Sequence, residues 1–363
     1  MEKEEKQIEE KDAKAELDAV QLNAKVKKNL LWAFLFASIM LFAAFTSAYI
    51  VSSGSEFWVR IKMPTSFNFS FVVIAISSIF LVCVRYFIRK NNFGLVKLFL
   101  GLALVFGISF GYFQYQGWKQ LFASGNAVSD HIINQSGRYG QFYSLTYQGK
   151  EITYKDEEFY WAGEVLSPEL KKELNTFCTE LMDGAQRYHK THDYNLTNYG
   201  VSFVLSYENQ VVTYLNKKLL INNIPLNLEQ HDRLWKFAEC IVNGRGDFML
   251  IGKYGEDFTI YYKGEPLEYK NRTFYMKGKK LSPKQDNDLN GSKNKNSSYI
   301  YVFTGMHLLH WVGGIIALLV MFIKGLQLKY TKDNYLGIQL GSTYWHFLGI
   351  LWVYLYVFLI FIH

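Results

Sequence analysis

The sequence predicts an all-α membrane bundle of five transmembrane helices, with an α+β region of three β-β-β-α repeats inserted outside the membrane. Three observations carry this. Five apolar stretches, at about residues 29–52, 66–88, 94–118, 299–325 and 338–362, contain no Asp or Glu, and each reaches the roughly 20 residues that a helix needs to cross a bilayer. Lysines and arginines cluster at alternate flanks of these stretches. A tyrosine frame recurs three times in the polar stretch between the third and fourth spans.

The first 28 residues hold eight acidic and seven basic side chains, which predicts a solvated cytoplasmic helix or tail, with no secretory signal ahead of the first span. Lys25, Lys27 and Lys28 precede that span; Arg85, Arg89 and Lys90 follow the second; Lys324, Lys329 and Lys332 follow the fourth. Alternating spans put all three clusters on one side, and cations in short loops mark the cytoplasmic side. The expected order is therefore a cytoplasmic segment at 1–28, three helices in 29–118, an exported insert at 119–298, and two helices in 299–363 with His363 outside. Arg60 and Lys62, in the first outer loop, run against the trend. The net charge of +7 is accounted for by these anchors and by acidic lipid headgroups rather than by nucleic acid.

An insert of that length needs its own fold, and internal repetition supplies it. The frame is Tyr-Gly, a Tyr eight residues after the first, another seven on, and a Leu twelve further. It reads Tyr139-Gly140, Tyr147, Tyr154, Leu166, then Tyr199-Gly200, Tyr207, Tyr214, Leu226, then Tyr254-Gly255, Tyr262, Tyr269, Leu281. Gly149, Asn209 and Gly264 fall two after the second Tyr, where a tight hairpin turn needs a residue tolerant of positive φ. Gly163, Asn223 and Gly278 recur likewise. Ser167-Pro168 and Ser282-Pro283 are helix starts, with Asn227 as the cap of the middle copy. Leu174, Phe177 and Leu181, then Leu234, Phe237 and Ile241, give those helices one apolar face. The repeats run at about 137–182, 198–243 and 252–290. The third keeps Leu289 and passes into "NGSKNKNSS", a polar tether to the fourth span.

The insert shows no catalytic constellation. His189 and His192 have the spacing of a metal pair, but no further ligand completes a site, which favours a solvated loop. Cys178 and Cys240 could form a disulfide outside the cytoplasm, although nothing in their spacing brings them together. In the spans the titratable groups are His307, His310 and His346, with Tyr49, Tyr344, Tyr354 and Tyr356 as weaker polar members. Such groups are functional candidates because burying them is costly. They leave open copper or haem ligation on one side and helix-to-helix hydrogen bonding on the other. The small number of ligands favours hydrogen bonding, and Gly305, Gly313 and Gly314 suit close helix approach.

"FTGMHLLHWVGG" followed by "STYWHFLGILWVYLYVFLIF" closely resembles the last two helices of subunit III of haem–copper terminal oxidases. Thr304, Gly305, His307 and His310 match one helix of that pattern; Tyr344, Trp345, His346, Phe347 and Trp352 match the next. The first span resembles the family's first core helix through Trp32, Phe36, Ser38 and Phe42. The resemblance covers the five spans and leaves the insert outside the pattern. It implies an accessory subunit of an aerobic respiratory oxidase in a bacterial inner membrane, beside a catalytic subunit I and a copper-bearing subunit II that carry the haem and copper. The chain itself would bind neither. It would hold structural phospholipids in a cleft lined by His307, His310, Tyr344, Trp345, His346 and Trp352, with Lys324 at a headgroup, and would help sustain proton uptake. Ile39, Gln339 and Gly349 stand where the family commonly has Glu, Glu and Asp, so a proton role for those carboxylates does not carry over. The insert is expected to dock a cytochrome c domain, a neighbouring respiratory complex or another subunit. The electron donor, cytochrome c or quinol, is not legible here. Two other classes remain: a membrane-anchored recognition module unconnected to an oxidase, and a small redox enzyme with its own haem.

Overall fold

The computed structural model describes residues 2–186, 192–332 and 334–361, with side chains from residue 21 onward. Helix α1 (Glu2–Ser55) leads through strand β1 (Phe57–Ile61) to α2 (Thr65–Arg89) and α3 (Phe93–Ala123). The first repeat is β2 (Tyr143–Tyr147), β3 (Lys150–Lys155), β4 (Glu158–Trp161), β5 (Glu164–Val165) and α4 (Pro168–Ala185). The second is β6 (Phe203–Tyr207), β7 (Gln210–Val211), β8 (Thr213–Leu215), β9 (Lys218–Ile221), β10 (Ile224–Pro225) and α5 (Leu228–Val242). The third is β11 (Phe258–Tyr262), β12 (Glu265–Pro266), β13 (Glu268–Lys270), β14 (Thr273–Met276), β15 (Lys279–Lys280) and α6 (Pro283–Gly291), after which come α7 (Lys295–Leu326) and α8 (Leu336–Phe361). Two compact units result, residues 1–51, 63–120 and 299–363 in one and residues 52–62 and 121–298 in the other.

In the first unit five helices are long and apolar enough to cross a membrane. Their inward residues recur every seven positions: Leu35, Phe42 and Tyr49; Phe67, Ile74, Leu81 and Ile88; Trp345, Trp352 and Leu359 are all buried. That period keeps one seam of each helix against its neighbours. The outer faces are apolar too, with Trp32, Phe36 and Val51 exposed, as lipid contact requires.

In the second unit each repeat is a meander that closes with a helix. A two-residue closing strand (β5, β10, β15) follows the three expected ones, the second of which is broken in two in the later copies, as β7 and β8 and as β12 and β13. The turn residues behave as the sequence requires: Gly149, Asn209 and Gly264 have φ of 78°, 66° and 79°. Ser167, Asn227 and Ser282 cap α4, α5 and α6 by accepting from Leu170, Gln230 and Gln285 N–H. The apolar faces of α4 and α5 are buried with the strands in one core, and the two helices pack on each other.

The frame tyrosine is a latch. The Tyr139 hydroxyl accepts from Leu145 N–H at 3.0 Å and donates to Ile152 C=O at 2.6 Å. Tyr199 does the same between Leu205 N–H and Val212 C=O, and Tyr254 between Ile260 N–H and Leu267 C=O. Each hydroxyl therefore sits in the fork where the first hairpin opens, satisfying groups that the ladder leaves unpaired.

Repeats join through their first strands. β2 and β6 pair antiparallel with Leu145 opposite Leu205, equivalent positions in the two copies, so the pairing is self-complementary. It builds a six-stranded sheet in the order β5-β4-β3-β2-β6-β7. The third repeat has no sister strand left. Its β11 pairs instead with β1, with Val59 opposite Ile260, so the loop expected to join the first two spans supplies the missing edge. Arg60, the dissenting cation, lies over the Tyr261 ring at 4.3 Å.

The first and third repeats also clasp reciprocally: Glu157 accepts from Tyr254 N–H at 3.0 Å and Arg272 donates to Tyr139 C=O at 2.9 Å. Glu157 and Arg272 occupy the same place in their copies, as do the two tyrosines.

The polar tether is ordered rather than loose. Asn294 and Ser297 are buried and bonded to Asn126, and α7 already begins at Lys295. Cys178 and Cys240 are buried free thiols, with Cys240 accepting from the Asn134 amide. Of the histidine pair in the inter-repeat loop, His189 lies outside the described residues, while His192 stacks on His231 at 3.8 Å.

Candidate functional site

The paired-histidine helix α7 is clamped between α1, α3 and α8. His307 is fully buried, and its Nε2 lies 3.0 Å from the Leu348 carbonyl, so this nitrogen carries the proton and donates. The ring packs against Trp352 at 5.1 Å and Phe110 at 5.5 Å. His310, one turn along, has Nδ1 2.8 Å from the Met306 carbonyl, which makes Nδ1 the donor. Its Nε2 lone pair then faces the Ser38 hydroxyl at 3.1 Å. The Tyr344 hydroxyl donates to the His310 carbonyl at 2.8 Å. One nitrogen of each imidazole crosses between helices, His307 Nε2 to α8 and His310 Nε2 to α1, while His310 Nδ1 bonds within α7 and His307 Nδ1 is buried without a partner among the described residues; among the described residues no three His, Cys, Asp or Glu gather in metal-binding geometry.

Glycine makes the closeness possible. A Cβ at Gly107 would come within 2.8 Å of the Trp345 ring, and one at Gly314 within 2.6 Å of Leu348. The space that each omitted side chain frees is filled by the fully buried Trp345. The Trp311 indole donates to Gly107 C=O at 2.9 Å and the Trp118 indole to Thr304 at 2.9 Å.

Of the residues singled out in the sequence, His307, Trp345 and Trp352 share one buried cluster, and His310 with Tyr344 forms a second facing Phe34 and Ser38 of α1. His346 is half-buried and hydrogen-bonds to neither histidine. Lys324 is exposed in the last turn of α7. Ile39 is half exposed although it follows buried Ser38 on α1, so a carboxylate there would lie at the edge of this chain's own core. Gly349 is buried, and a Cβ on it would stand 3.2 Å from the Ser78 hydroxyl. Gln339 is half-buried near the start of α8. Phe110 and Gly107, which pack beside the cluster, carry no motif in the sequence, and Trp311 lies inside "FTGMHLLHWVGG" without being one of its matched residues.

The insert has a second concentration of chemistry. Asp247, 2% exposed, accepts from Arg138 Nε at 2.8 Å, from Arg272 Nε at 3.0 Å and from the Tyr269 hydroxyl. Burial pushes its carboxyl up, but the bonds and charges of Arg272 and Arg138 outweigh burial and hold it below the usual carboxylate range. His231 is buried, and its Nδ1 accepts from the Tyr194 hydroxyl at 2.6 Å. Burial, with His192 alongside, pushes the imidazole down to about 4.

Residues 287–363 match the family described as cytochrome c oxidase subunit III. Proteins named cytochrome c oxidase subunit 3 are similar to parts of this chain. The one from Hippopotamus amphibius is 38% identical over 60 residues, covering 16% of this chain and 23% of that protein. The one from Myxine glutinosa is 24% identical over 147 residues, covering 40% of this chain and 48% of that protein. The chain thus spans less than half the length of these relatives. No solved structure matches.

Proposed function

The chain belongs to the cytochrome c oxidase subunit III family, and from that premise we propose that it is an accessory subunit of an aerobic terminal oxidase, packing beside the haem- and copper-bearing subunits I and II. The carrying observation is the pair of neighbouring clusters on α7, His307 with Trp345 and Trp352, and His310 with Tyr344. They lie within the segment that matches the family, and each imidazole has a nitrogen bonded to a neighbouring helix, His307 to α8 and His310 to α1. In this reading the histidines are struts, His307 fixing α7 against α8 and His310 fixing α7 against α1, while the metals belong to the partners.

The apolar outer faces, including Ile39, provide surface for phospholipid and for a neighbouring subunit, and Lys324 meets a lipid phosphate at the inner boundary. The membrane is a bacterial inner membrane, with the N-terminus cytoplasmic and the insert and C-terminus periplasmic. Support for assembly and for sustained proton uptake follows from packing, because the spans hold no carboxylate of their own. The insert, rich in paired strands and without a catalytic constellation, docks a partner subunit or an electron-donor complex.

Extraction in mild detergent tests this. A larger haem-bearing polypeptide is expected to co-purify, and the chain separated from it should show no Soret band. A solitary monodisperse chain, or a haem spectrum retained by the separated chain, would overturn the reading.

A further inference from the structure

Beside the Asp247 network lies a groove of about 670 Å³ whose lining includes Arg138, Arg272, Gln135, Gln141, Asn271 and Asn290, with no carboxylate among the lining residues. We propose that this groove seats an acidic peptide segment of a partner protein, with one carboxylate on the paired guanidinium groups of Arg138 and Arg272.

The charge count comes first. Two guanidinium groups face the buried carboxylate of Asp247; Asp156, Glu157 and Asp286 line other pockets that the arginines border, so on the groove side the two arginines meet no further carboxylate. Asp247 takes the Nε of each arginine and Nη2 of Arg272, and the Nη2 groups also donate to the Arg272 and Tyr139 carbonyls, which leaves Nη1 of each for a ligand. That anchors both planar forks in fixed orientations while part of each side chain, 26% for Arg138 and 29% for Arg272, stays open to solvent. A pre-oriented fork is what makes arginine a good receptor for a planar oxyanion.

The repeats supply an internal comparison. Arg272 occupies the place of Glu157 in the first copy and Lys217 in the second, and Arg138 the place of Asn198 and Lys253. Only the third copy's turn, meeting the arm before the first copy, assembles two arginines.

The shape favours a peptide over a free ion. The groove is much larger than one anion, and beyond the arginines its wall is amide: Gln141 and Asn271 are exposed, and their side chains have no hydrogen-bond partner among the described residues. Amides suit a peptide backbone, which offers both donors and acceptors. The adjoining cavity, about 420 Å³, shares both arginines but is also lined by Asp247 and Asp286, so an anion is favoured on the carboxylate-free side. This gives a chemistry to the docking role proposed above and rests on it only for the partner's identity.

The test uses the purified full chain in nanodiscs and a fluorescent tetraglutamate peptide, with tetraglutamine as control and inorganic phosphate as competitor. The glutamate peptide is expected to bind, to weaken as salt is raised, and to resist phosphate. Gln141→Glu puts a carboxylate on the rim without touching the Asp247 network; it should lower affinity about tenfold or more with the melting profile unchanged. Arg138→Gln should also abolish binding, but it disturbs the fold, which is why Gln141→Glu decides. Equal binding of the two peptides, full affinity in Gln141→Glu, or displacement by phosphate at matching concentration would each overturn the assignment. None of these outcomes depends on whether an oxidase is attached.

Discussion

Replacing Tyr139 with Phe removes one oxygen and nothing else, and the structure says what that oxygen does. Its hydroxyl bridges Leu145 N–H and Ile152 C=O at 3.0 and 2.6 Å, and Tyr139 is 4% exposed, so water has little access to either orphaned group. A buried polar group left unpaired costs about 1–3 kcal/mol. With two groups affected and some relaxation of the fork, the net loss is about 2–3 kcal/mol. Since about 1.4 kcal/mol is a factor of ten, exchange of the Leu145 amide should speed up by roughly 30- to 150-fold wherever it proceeds through local opening. Tyr254 is more exposed and its accepted bond is longer, 3.3 Å from Ile260 N–H, so Tyr254→Phe should accelerate Ile260 by only about fivefold. Hydrogen exchange read by mass spectrometry on the full chain measures both. If Leu145 exchange in Tyr139→Phe stays within about twofold of the parent, or if the ranking of the two variants is reversed, the latch is not a stabilising element and the account of the frame fails.

Asp247→Ala leaves two guanidinium groups facing each other, and the loss of one partner from a buried ion network should destabilise the insert by about 3–5 kcal/mol, measured by denaturant unfolding followed at the insert's aromatic fluorescence. His231 has its folded-state pKa lowered to about 4 from 6.5. An unfolded chain therefore binds a proton that the folded one refuses between those values, so the contribution is full above about pH 6.5 and is lost as pH falls towards about 4. The difference between parent and His231→Leu melting temperatures should change across that window, and a flat difference would refute it. His307→Ala empties the space beside Trp352 and frees the Leu348 carbonyl; expected are a loss of about 1–3 kcal/mol and shorter-lived turnover of the assembly with its haem spectrum intact, whereas loss of a haem band would contradict the strut reading. Removing residues 137–290 should leave the spans inserted but weaken association with a neighbouring complex, so unchanged migration on a native gel would remove the docking role.

Much of the architecture was visible in the residues because it is written in local periods. The spans are long uninterrupted apolar runs, and the threefold tyrosine frame fixes hairpin turns at Gly149, Asn209 and Gly264 whatever surrounds them. The closing strands were not visible, since two residues such as Glu164 and Val165 carry no period and exist only because a turn folds them back. Nor was the role of β1. "FWVRI" is short, holds an Arg, lacks the frame, and finds its partner far along the chain, so no local signal links Phe57 to Tyr262. The site divides in the same way. His307, His310 and Tyr344 stand in compact motifs, while Phe110 is an ordinary apolar residue until α3 packs beside α7. Asp247 looks like one more loop carboxylate until Arg138 and Arg272, distant in sequence, close on it.

The pairing of β1 with β11 also bears on how the chain is made. Phe57–Ile61 leaves the ribosome long before Phe258–Tyr262, so its hydrogen-bonding edge must stay unpaired and soluble while two more membrane crossings' worth of sequence and two repeats are synthesised. A gene fragment encoding only residues 121–298 would lack that strand and expose the edge of β11, so the excised insert should be prone to self-association. Synthesis thus makes the joining of β1 to β11, segments far apart in the chain, a single late event.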